Sequence, residues 1–162
     1  MRVSRRGIWR ALLLSLLFSG ALPLAAQQLP LELSSYPRTD LTITQAHPAR
    51  VHSFRVWVAD TDARAQQGLM FVSDLPQSQG MIFPLVPPRV ENMWMKNTYI
   101  ELDMLFIGSG GRVEKIIERA HPMSLETLSS GGPVAAVLEL KGGSVARLGL
   151  KVGDQVSWKP AS

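Results

Sequence analysis

Glu101, Asp103 and Glu139 are the acids set beside strand-like stretches in the middle of this chain. Two carboxylates at a suitable separation do acid–base work on a glycosidic bond. Asp103 and Glu139 are the pair that a hydrolase of envelope polysaccharide would use. Asp103 also suits a quieter role: it lies among apolar residues with Lys96 a turn away, so it can serve an ion pair or satisfy turn amides. There is no G-x-S-x-G and no Cys, so the usual nucleophile constellations are absent.

Methionine offers a second chemistry. Met70, Met81, Met93, Met95, Met104 and Met123 occur in a chain without cysteine, and thioethers with an imidazole such as His121 would suit Cu(I). The competing use of Met is to fill irregular gaps in a core and to contact aromatic rings. His47, His52 and His121 show no metal spacing with acids, so the reading carries neither a metal nor a cofactor.

Trp94 offers a third. With Lys96 and Asn97 beside it, it makes an aromatic platform with adjacent hydrogen-bond donors, as a carbohydrate or peptide ligand would need. A small sheet domain also uses Trp as core filler, and Asn97 suits a left-handed turn position. The reading favoured by the missing catalytic machinery is a non-enzymatic binding or accessory module. Its surface centres on Trp94, Lys96, Asn97 and Asp103, supported by Met70, Met81 and Glu139. A small molecule, a glycan or an envelope protein is the expected partner.

Composition limits the rest. Arg2, Arg5, Arg6 and Arg10 precede an apolar run over residues 11–22, and small residues follow at Ala25 and Ala26. This is the pattern of a secretory signal ending at residue 26, too short for a comfortable membrane span. Ser4-Arg5-Arg6 hints at the twin-arginine route, while the strongly apolar run suits general secretion. With no Cys there is neither a lipoprotein anchor nor a disulfide framework, so a periplasmic or secreted protein without a stable membrane anchor is expected. The formal charge of +4 comes from the leader, because residues 1–26 hold four Arg and no acid. The remainder balances 13 cations against 13 acids, which argues against nucleic acid as a partner.

The elements that must position these residues read as mostly strand. Residues 27–50 form an extended lead-in and a first strand, and residues 51–162 a single globular domain large enough for its own core. Leu41 to Thr44 and Phe54 to Val58 alternate as strands. Asp60 or Thr61 caps a short helix that Gly68 stops. A strand opens at Met81 and is cut short by Pro84, Pro87 and Pro88, after which Arg89 to Met95 reads as extended up to a turn through Lys96 and Asn97. Residues 102–107 form a buried strand joined through Gly108-Ser109-Gly110-Gly111 to a partner over residues 112–119. Residues 122–132 read as a polar loop, 134–140 as a strand, 145–148 as a short helix capped by Ser144, and 155–158 as a last strand. The fold class is α+β: a small curled antiparallel or mixed sheet approaching a barrel, with two short helices.

Several segments recur together in a known family. They are Gly68-Leu69-Met70, Gly80-Met81-Ile82-Phe83, Trp94-Met95-Lys96-Asn97-Thr98, Leu102-Asp103 with Phe106-Ile107, Val137-Leu138-Glu139-Leu140, Gly142-Gly143 and Gly149 through Gly153-Asp154. In this order, over about residues 54–158, the chain resembles the domain of unknown function 192 family. The resemblance implies a small single α+β domain with a barrel-like sheet, often exported and with no established activity. Family members often carry Arg shortly after the G-L-M element, where this chain has Val72 and Ser73 after Phe71.

Overall fold

A computed structural model describes residues 29–159. The expected signal segment, residues 1–26, lies outside the described residues. Seven strands form one mixed sheet: β1 (Arg38–Ala46), β2 (Ala49–Val58), β3 (Gln79–Met93), β4 (Leu102–Ile107), β5 (Val113–Ala120), β6 (Leu128–Lys141) and β7 (Gln155–Trp158). Their spatial order is β5-β4-β6-β3-β2-β1-β7, and every neighbouring pair is antiparallel except β2 with β3. Helix α1 (Asp62–Gln67) makes the crossover that a parallel pair requires, and α2 (Ser144–Leu148) follows β6. Among the described residues no helix is long and apolar enough to cross a membrane.

Side chains alternate across the sheet and build two cores. Leu41, Ile43, Val56, Ile82, Leu105, Leu138 and Val156 fill the inner face, with Val145 of α2 and Leu150 completing that cluster. The outer face of β3, β4 and β6 packs Met81, Phe83, Met104, Phe106 and Val137 against Leu69, Leu75 and Met95 from the connecting segments. Strand β4 serves both cores, which is why all six of its residues are buried and all but Asp103 are apolar.

The curl brings the two ends of the sheet together at an isolated bridge between Arg112 and Gln155. Val113 N–H donates to Asp154 O at 2.9 Å and Val156 N–H to Gly111 O at 2.7 Å. The contact is confined to that end, and the sheet does not close into a barrel.

The helix limits follow from local chemistry. Thr61 Oγ1 accepts the Arg64 N–H at 3.3 Å, and Gly68 ends α1 with φ 52°. Two expectations are corrected. Strand β3 is not cut short by Pro84, Pro87 and Pro88 but continues to Met93. Its register slips between Pro84↔Ala136 and Arg89↔Val134, so residues 85–88 oppose the single Ala135, and the bulge leaves Pro87 and Pro88, which have no N–H, outside the paired ladder. Residues 128–132, expected within a loop, belong to β6, because Ser130 Oγ accepts the Glu91 N–H at 3.0 Å and extends the pairing.

Gly80 of β3, paired with Leu140 of β6, leaves no room for a side chain. A Cβ there would collide with the Glu139 carbonyl oxygen and lie 2.9 Å from Leu140 Cδ2. Gly80→Ala should therefore cost about 2–3 kcal/mol, since the obstacle is backbone rather than a movable side-chain tip. The midpoint of urea unfolding measures it, and a shift worth under about 0.5 kcal/mol would show that the strands part freely.

Candidate functional site

The crossover leaves a hollow. Strand β2 pairs with β3 only from Gln79 to Ile82, after which Ala59 N–H donates to Ile82 O at 2.9 Å and the chain departs into α1. Beyond Ile82, β3 has no strand on that side among the described residues. The space between this free margin and α1 is a cavity of about 960 Å³, open to solvent. Ala65 and Gln67 of α1, Leu69 and Met70 after it, Phe83, Leu85 and Met93 of β3, and Trp94 form much of its wall.

Glu139 of β6 reaches this cavity from the sheet. Its cross-strand neighbours are Met81 on β3 and Met104 on β4, both fully buried. Only 4% of Glu139 is exposed, and Oε2 has no hydrogen-bond partner. Burial pushes its carboxyl up to about 8. The group therefore keeps its proton through much of the neutral range and can donate a hydrogen bond into a cavity that combines apolar walls with polar residues such as Gln67, Asn92 and Thr98.

The rim is built from strained turns. Phe71, Asn97 and Met123 adopt φ values of 66°, 54° and 62°. Backbone bonds lock the three turns together: Phe71 N–H donates to Asn97 O at 2.8 Å, Met123 N–H to Thr98 O at 3.1 Å and Met95 N–H to Ser124 O at 3.0 Å. Phe71, Trp94, Tyr99, Met123 and Leu125 remain exposed there, and the Phe71 and Tyr99 rings meet edge to face, 6.2 Å apart.

The residues singled out by sequence separate into two groups. Trp94, Met70 and Glu139 line the cavity together, and Trp94 is 47% exposed. Met81 lies beneath them in the core beside Glu139. Lys96 stands at the rim with Nζ 5.4 Å from the Trp94 ring centre, and Asn97 Nδ2 faces Met70 Sδ at 3.9 Å. Asp103 does not join them. It pairs across the strands with Leu140, while its neighbour Met104 pairs with Glu139, so the two carboxylates lie on opposite faces of the sheet. The paired-carboxylate arrangement is thereby corrected.

Asp103 is instead a buried tie between segments. Its Oδ1 accepts the Arg119 and Gly143 N–H groups at 2.8 and 3.1 Å, and Oδ2 accepts the Val145 N–H at 2.7 Å. It thus caps α2 from a different strand, where Ser144 was expected to do so; Ser144 is buried and its Oγ has no partner. Of the copper arrangement, Met81 and Met104 flank Glu139 and Met70 and Met93 line the cavity, whereas Met95 is buried in the core, Met123 is exposed, and the exposed His121 has Nδ1 3.0 Å from Pro122 O. Sequence reasoning missed Phe83, Ala65 and Gln67 as walls. The one usable signal was the lone acid of the Val137-Leu138-Glu139-Leu140 run, a charge type in an apolar strand.

Comparisons with known proteins agree with this architecture. A protein of Sinorhizobium meliloti 1021, described as a "putative transcription regulator", is 40% identical over 76% of this chain and 95% of its own, with a TM-score of 0.74. A protein of unknown function from Novosphingobium aromaticivorans DSM 12444 is 42% identical over 75% of this chain and 85% of its own, with a TM-score of 0.72. Among curated proteins no match is found. The model of the DUF192 family, described as an uncharacterized ACR, matches residues 42–158, and the chain belongs to that family.

Proposed function

We propose that this protein is an exported binding module that holds a small molecule in the cavity between α1 and the free margin of β3. The observation that carries the reading is Glu139, a buried carboxyl with an unpartnered oxygen in a chamber walled by Leu69, Met70, Phe83 and Trp94. An unpaired buried polar group is costly, and a site that presents one amid apolar walls is arranged for a guest that completes it. The balance of 13 cations and 13 acids beyond residue 26 supports a small guest over nucleic acid. Export rests on the basic, apolar and small-residue segments of residues 1–26.

Nile red, a neutral polarity-sensitive dye, tests the cavity. The protein should bind it in a saturable one-to-one manner with blue-shifted emission. Ala65→Trp, which plugs the wall from an exposed helix position, should abolish that binding while leaving the melting temperature unchanged. Equal binding by the plugged variant would refute the site. Export is tested separately: protein recovered from the periplasm should begin at Gln27, and a full-length chain retained in the cytoplasm would overturn that part of the reading.

A further inference from the structure

Resting on the cavity as a binding site, we propose that its guest is an uncharged, largely apolar molecule. It carries one hydrogen-bond acceptor, such as a ketone or amide carbonyl, that meets the Glu139 carboxyl. Three alternatives to such a guest fail on the chemistry of the site.

An anionic amphiphile finds no counter-charge inside. Of the acids that line the cavity, Asp60 is paired with Arg64 and Glu91 with Arg89, and Lys96 stands only at the rim, over the Trp94 ring. Arg89 is already paired with Glu91, Nε to Oε2 at 3.0 Å. No ion pair among the described residues reaches Glu139, so a carboxylate that passed the lip would find an acid and no cation.

A cationic amine fares little better. An ammonium brings three N–H donors, whereas Glu139 is flanked by the thioethers of Met81 and Met104, which accept hydrogen bonds weakly. Beside Glu139 two donors would lack a strong acceptor, because the other acids that line the cavity, Asp60, Asp62 and Glu91, stand at the start of α1 and toward the end of β3.

A pure hydrocarbon would fit the walls but leave Oε2 as it stands, buried and unpartnered. A neutral acceptor completes that group and adds no charge. The proton it needs is present, because burial raises the Glu139 carboxyl to about 8.

The test uses four probes of one shape: 2-acetylnaphthalene, 2-isopropylnaphthalene, 2-naphthylmethylamine and 2-naphthoate. Each is titrated at slightly acidic pH into the wild type and into Glu139→Met and Glu139→Gln, following tryptophan fluorescence. The ketone should bind wild type about tenfold more tightly than the hydrocarbon, the worth of one hydrogen bond. Glu139→Met should erase that preference without loss of hydrocarbon binding, and Glu139→Gln, which keeps a donor, should restore most of it. Tightest binding by the amine or the naphthoate, or equal binding of ketone and hydrocarbon, overturns the inference while leaving the cavity as a binding site. Failure of all four probes to bind overturns both.

Discussion

Raising the pH from about 4 to about 9 should remove about 5 kcal/mol of folding stability through Glu139 alone, and Glu139→Gln should escape that loss. The carboxyl ordinarily titrates at 4.5, and burial in the folded protein raises it to about 8. Below the lower value both states hold the proton, and the folded state bears no charge penalty. Between the two values the unfolded chain has released its proton while the folded chain retains it, so each pH unit costs about 1.4 kcal/mol. Above the upper value the folded state carries a buried, unpaired carboxylate, and the full loss is reached.

Urea unfolding at a series of pH values, with wild type and Glu139→Gln side by side, reads the difference directly. Parallel curves for the two proteins would mean that water or a hidden partner already solvates the carboxyl. For a domain whose total stability is on the order of 5–15 kcal/mol, this one group decides whether it survives alkaline conditions.

The second large effect belongs to Asp103. Asp103→Asn keeps the shape but replaces one acceptor oxygen by an amide donor, and the native carboxylate serves three backbone N–H groups at once. Turned so that its oxygen faces Arg119 and Gly143, the new side chain points N–H at the N–H of Val145. The expected cost is about 3 kcal/mol, from a donor left unsatisfied plus the loss of charge-assisted bonds to the other two. Hydrogen exchange should quicken first at Val145 and along α2, because the cap is what holds that helix end. Nile red affinity should be untouched, since Asp103 lies on the far side of the sheet from the cavity. A variant of wild-type stability with lost dye binding would reverse this assignment and return Asp103 to the site.

Much of the fold could be read from the chain because its signals are local. The Thr61 cap and the Gly68 stop of α1 lie within a few residues of the helix they bound. Strand β4 matched its expected limits because an apolar run between a turn and a glycine cluster has one reading. The site was harder, because it depends on register. Asp103 and Glu139 look alike in sequence, each a lone acid in an apolar strand, but Asp103 pairs with Leu140 and Glu139 with Met104. A slip of one residue would have exchanged their faces. Likewise, nothing near Pro84 announces that four residues will oppose one, since the partner that makes the bulge lies about fifty positions away on β6. The capping of α2 by Asp103 joins positions 42 apart and leaves no mark on the sequence beside either.

The single parallel pairing in an otherwise antiparallel sheet has an architectural corollary. A chain that must return to the starting end of β2 before laying down β3 has to climb over the sheet, and the helix that makes the climb stands off from whatever strand length it leaves behind. The vacancy is thus inherited from the threading itself. Side-chain exchange can reshape, line or stopper it, but only rewiring the order of strands would make it disappear.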